Sequence, residues 1–97
     1  MEKITVFVPF EGRRDDVVAY FVNSGVIYLF DINESISTET VALDASDADV
    51  FAAALDTAEG LVDVYSSIID KDATPYELTD AEGNQLGYEV LFYATAD

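Results

Sequence analysis

Residues 46–71 read SDADVFAAALDTAEGLVDVYSSIIDK, and the spacing of their apolar positions decides the fold class. Val50, Phe51, Ala54, Leu55, Ala58, Leu61, Val62, Tyr65, Ile68 and Ile69 recur at the interval of one helix face, which predicts an amphipathic helix sustained over about five turns. Ser46 supplies an N-cap oxygen with Asp49 three residues on, and Asp47 puts a carboxylate in the first turn, where the helix dipole favours it. The helix is expected to stop near Lys71, before Pro75. Gly60 falls on the polar side of the wheel, so a bend there leaves the buried stripe intact.

An apolar helix stripe needs a sheet to cover, and the flanking segments supply strand patterns. Ile4 to Phe10 alternates Ile, Val, Val and Phe on one face, with Pro9 marking an edge or a strand end. Residues 17–22 (VVAYFV) and 26–32 (VIYLFDI) surround Asn23-Ser24-Gly25, a spacing that predicts a hairpin with glycine in the left-handed position. Glu39 to Leu43 follows a polar turn and adds a fourth strand. Tyr76–Thr79 and Gln85–Thr95 flank Asp80-Ala81-Glu82-Gly83-Asn84, a second hairpin signal. The resulting order, β-β-β-β-α-β-β, is a single α+β domain over residues 1–97, with a mostly antiparallel sheet of about six strands on one long helix. Both faces of the 17–32 hairpin are apolar, whereas one helix covers only one. The second face is left to the other strands, to a second copy of the chain in a homodimer, or to a partner, with Tyr20 and Tyr28 on it.

The charge bounds the function. Twenty Asp and Glu stand against four Lys and Arg, for a formal charge of −16. Such acidity with low hydrophobicity is a mark of disorder, but 51% of the residues are hydrophobic and 12% aromatic, enough to form a core with the charge outside it. Residues 1–30 carry a net −1, so −15 lies beyond Phe30, where Lys71 is the only basic residue. Nucleic acids and anionic membranes are therefore poor direct partners, and a basic protein surface is the natural complement.

The inventory argues against an enzyme. There is no Cys and no His, which removes the commonest nucleophiles and general bases. No glycine-rich phosphate loop, basic patch or zinc spacing is present. Asp70-Lys71-Asp72-Ala73-Thr74 begins like a calcium loop, but Pro75 stands where the sharp turn needs Gly and Ala81 where the bidentate Glu belongs. No metal site and no cofactor are expected. The apolar run of residues 4–10 is too short for a signal peptide or a membrane span, which sets the expectation of a cytoplasmic protein.

On the predicted helix the acidity acquires a geometry. Asp49, Asp56, Asp63 and Asp70 recur every seven residues, so they form one line that drifts by only about 20° per step. Glu59 lies beside it, and the loop acids Asp72, Asp80 and Glu82 add to the same partner-binding set. An amphipathic helix needs a polar face, yet like charges without lysine partners, and a carboxylate at the helix C-terminus, both weigh against stability. In composition, though in no motif, the chain resembles phage-type inhibitors of restriction or CRISPR systems. That resemblance implies a decoy in a host cytoplasm, whose carboxylates stand in for phosphates in the basic groove of a nuclease or CRISPR effector. The alternative is a non-enzymatic interaction module, acidic for salt tolerance or solubility, that binds through its apolar sheet face.

Overall fold

The computed structural model describes residues 2–23, 35–62, 66–68 and 74–96. Within them the chain runs β1 (Glu2–Pro9), α1 (Arg14–Asn23), α2 (Asp47–Leu61), β2 (Ser66–Ile68), β3 (Tyr76–Thr79) and β4 (Gln85–Ala96). The architecture is α+β, an antiparallel sheet of four described strands with one helix on each face.

The long strand β4 organises the sheet. On one side it pairs with β1 from Glu2↔Ala94 to Pro9↔Gly87. On the other side it pairs with β2 at Ser66↔Ala96 to Ile68↔Ala94, and with β3 at Tyr76↔Glu89 to Thr79↔Gln85. The β3–β4 hairpin expected around residues 80–84 is present, and its loop is built by Asp80. One carboxylate oxygen accepts from the Glu82 and Asn84 N–H groups, both at 2.9 Å, and the other accepts from Asn84 Nδ2 at 3.0 Å. Gly83 takes the positive φ of 85° that the loop requires.

Alternation along β1 builds two cores. Ile4, Val6, Val8 and Phe10 join Val90, Phe92, Ala94 and Ile68 against Val50, Ala53, Ala54 and Ala58 of α2. Phe7 points the other way, onto Val17 and Phe21 of α1, together with Ile36, Leu78 and Leu86. A bulge between Leu78 and Thr79 leaves Leu86 as the extra residue of β4. That insertion moves Leu86 out of phase with Tyr88, Val90 and Phe92 and onto the α1 side.

The structure overturns the 17–32 hairpin. Its first arm is helical, residues 17–22 lying inside α1. The second arm, Val26–Ile32, falls outside the described residues. Strand propensity in this β-branched run yields to tertiary demand, because the second sheet face needs a cover. Local signals agree: Asp15 and Asp16 occupy the first turn, Arg13 bonds Asp16 at 2.9 Å, and Val17 and Phe21 lie four residues apart on the buried side. Phe21 meets Phe7 at a ring-centroid distance of 4.3 Å.

Two further expectations change. The helix predicted to reach Lys71 ends at Leu61, with Val62 extended as its C-cap. Ser66–Ile68 is instead a strand that satisfies the end of β4, which β3 does not reach. Ile68 is buried in the expected core, but from a strand. The segment predicted as a strand over Glu39–Leu43 makes only the isolated parallel bridge Phe10↔Val41, and with the preceding bridge Phe7↔Ile36 the stretch 36–41 runs as a strap beside the outer edge of β1. Pro9 turns its carbonyl to this strap, accepting from the Val41 N–H at 3.1 Å. It has no N–H to return, so a regular ladder cannot form.

Candidate acidic binding surface

α2 begins as the sequence predicts. Ser46 is the N-cap, and its hydroxyl oxygen accepts from the Asp49 N–H at 3.2 Å. Val50, Ala53, Ala54 and Ala58 are buried, while Asp49, Asp56 and Glu59 are exposed on the opposite side. Asp49 and Asp56 lie about 10.5 Å apart along the axis by helical rise.

The line of acids stops there as a helical feature. α2 ends at Leu61, so the seven-residue spacing no longer places Asp63 and Asp70 on its face. Asp63, Asp70, Asp72 and Tyr28 all lie outside the described residues. Asp80 is occupied by its own turn: hydrogen bonds from Asn84, chiefly from its side chain, hold the Asp80 carboxyl below the ordinary value of 3.8. Glu82 is exposed on the same loop, with Asn84 Nδ2 at 3.5 Å. Tyr20 sits on α1 rather than on a sheet, half-buried, with its ring edge-on to Phe21 at 5.1 Å. The sheet face assigned to it is covered by α1 itself.

Folding adds a residue that the helix pattern does not include. The strap beside β1 carries Glu39 to the side of α2, and Glu39 and Asp56 line one open groove of about 690 Å³ with Ile36, Thr38, Thr57, Gly60 and Leu61. Glu39 is fixed locally, its N–H donating at 3.0 Å to the hydroxyl of the fully buried Ser37. The Ser37 N–H in turn donates to the Phe7 carbonyl at 2.8 Å. Desolvation in the groove raises the Glu39 carboxyl above its ordinary range, and the charge of Asp56 and a hydrogen bond to it add in the same direction. Two carboxyl groups from different elements thus line one groove. They stand seventeen positions apart in sequence, and no local signal marks the pair.

Little positive charge is available to offset this surface. Among the described residues the ion pair formed is that of Arg13, just before α1, with Asp16 in its first turn. No group of three or more carboxylates among them converges on a metal-sized site. No helix among them is long and apolar enough to cross a membrane. Comparison with protein families, with curated proteins and with solved structures finds no match.

Proposed function

We propose that this chain is a non-enzymatic acidic inhibitor, a decoy that occupies the basic groove of a nucleic-acid-binding protein with carboxylates in place of phosphates. The observation that carries this reading is the Glu39–Asp56 pair on the exposed lip of the α2 groove. Two neighbouring carboxylates repel when both are ionised, and a partner's guanidinium placed between them reverses the sign of that interaction. Asp49 and Glu59 extend the same surface along α2. An arginine fork suits such a site better than an ammonium, because it meets two carboxylates in a fixed plane. The partner class is a nuclease or CRISPR effector of the kind that phage-type inhibitors block, met in a host cytoplasm.

Competition binding tests the reading. The protein is expected to displace DNA from a susceptible nuclease, with affinity falling as salt rises. Replacing Glu39, Asp49, Asp56 and Glu59 with Gln or Asn is expected to abolish displacement while far-UV circular dichroism is unchanged. Full displacement by that variant would remove this face from the proposal. A fold that collapses in dilute buffer and recovers only in molar salt would instead point to salt adaptation as the source of the acidity.

A further inference from the structure

Leu43 is spent on neither packing nor local chemistry. It follows Ala42 in a turn closed by the Ala45 N–H donating to the Ala42 carbonyl at 3.0 Å. The side chain is 69% exposed and belongs to neither core cluster. Central turn positions favour Pro, Asp, Asn, Ser and Gly, each for a conformational or hydrogen-bonding reason that leucine lacks.

Leu43 forms one wall of a second groove of about 500 Å³, together with Phe10, Glu11, Glu77, Thr79 and Gln85. This groove shares no lining residue with the one between Glu39 and Asp56. Its rim is acidic: Glu11 and Glu77 are exposed, as is Asp44 beside Leu43. Gln85 Nε2 donates to Glu77 Oε1 at 3.1 Å and so steadies that carboxylate on β3. Arg13 also reaches the groove, but its guanidinium is engaged by Asp16 at 2.9 Å.

We infer that this groove docks a basic segment of a partner protein in which an aliphatic side chain is flanked by Lys or Arg. The aliphatic group covers Leu43 while the flanking cations meet Glu11 and Glu77. A second copy of this chain does not suit the site, because each copy carries −16 and the two repel. The site extends the proposed function without resting on the α2 acids. It supplies an apolar contact, so part of the binding here resists salt that screens the charges.

The test is an NMR titration of the 15N-labelled full chain with the blocked tripeptides Arg-Leu-Arg and Arg-Ser-Arg at about 0.15 M salt. Saturable shifts are expected at the amides of Leu43, Asp44, Glu77 and Gln85, with Arg-Leu-Arg binding about tenfold more tightly than Arg-Ser-Arg. Leu43→Ser, a substitution at an exposed site, is expected to remove that preference while the rest of the spectrum is unchanged. Neutralising Asp49, Asp56 and Glu59 is expected to leave the preference intact, which separates failure here from failure of the α2 surface. Equal binding of the two peptides, or a Leu43→Ser chain that still prefers Arg-Leu-Arg, would overturn the inference.

Discussion

Of the described glycines, Gly87 alone stands against neighbouring backbone, where β4 pairs with Val8 and Pro9, and Gly87→Ala tests that approach directly. A Cβ at position 87 would stand 2.3 Å from the Val8 carbonyl oxygen, 2.8 Å from Pro9 Cα and 3.0 Å from the Val8 carbonyl carbon. Carbon and oxygen normally approach no closer than about 3.3 Å, so the strands would have to part by about 1 Å. Every obstructing atom is backbone, which leaves no flexible side chain to swing aside. Overpacking of this kind costs about 1–3 kcal/mol, and the unyielding surroundings place Gly87→Ala at the upper end. The adjacent hydrogen bond from the Phe10 N–H to the Leu86 carbonyl, 3.1 Å long, is strained by the same movement and adds about 1 kcal/mol. A total near 4 kcal/mol is a large share of the roughly 5–15 kcal/mol expected of a domain this size, and corresponds to a fall in Tm of about 16–32 °C. Thermal and urea melts followed by far-UV circular dichroism at fixed salt measure it. Gly60→Ala is the control of opposite sign: a Cβ there meets nothing within 4 Å, and removing a helical glycine is expected to stabilise by up to about 1 kcal/mol. If Gly87→Ala melts within about 5 °C of the parent, the β1–β4 approach at Val8 is not the constraint argued above.

Three further outcomes follow from the caps and carboxyl groups. Ser46→Ala removes the oxygen that accepts from the Asp49 N–H and is expected to cost about 1 kcal/mol in urea melts, with Ser46→Asp recovering most of it. The pH dependence carries two opposite signs. The Asp80 carboxyl is lowered in the folded state, so its contribution is complete above the ordinary value of 3.8 and is lost as pH falls from there through the lowered folded-state value; the stability gap between the parent and Asp80→Ala is expected to close in acid. Glu39 is raised, so its ionisation weakens the fold as pH rises through and above the ordinary carboxylate range. Glu39→Gln is therefore expected to stabilise the chain at neutral pH and to lose that advantage in acid, and an advantage independent of pH would refute the pairing with Asp56.

Where periodicity and turn chemistry agree with the packing, the sequence alone determined the element. Ser46 and the apolar stripe from Val50 to Ala58 produced a capped helix, Ile4 to Phe10 a strand whose alternating residues Ile4, Val6, Val8 and Phe10 share one core, and Asp80 to Asn84 a hairpin loop. The charge of −16 likewise set, without reference to any coordinate, the expectation that nucleic acids are poor direct partners. Tertiary structure decided the segments whose local signals fit two answers. VVAYFV has strand propensity, but the uncovered side of the sheet recruits it as α1, because burying Val17 and Phe21 against Phe7 outweighs a propensity difference of a fraction of a kcal/mol per residue. Ser66–Ile68 continues a helical pattern, yet the unpaired end of β4 claims its backbone hydrogen bonds. That choice also redraws the candidate surface, since a helix ending at Leu61 cannot carry Asp70. Glu39 joins Asp56 only because the strap returns along β1, a contact between elements far apart in sequence that no local periodicity encodes.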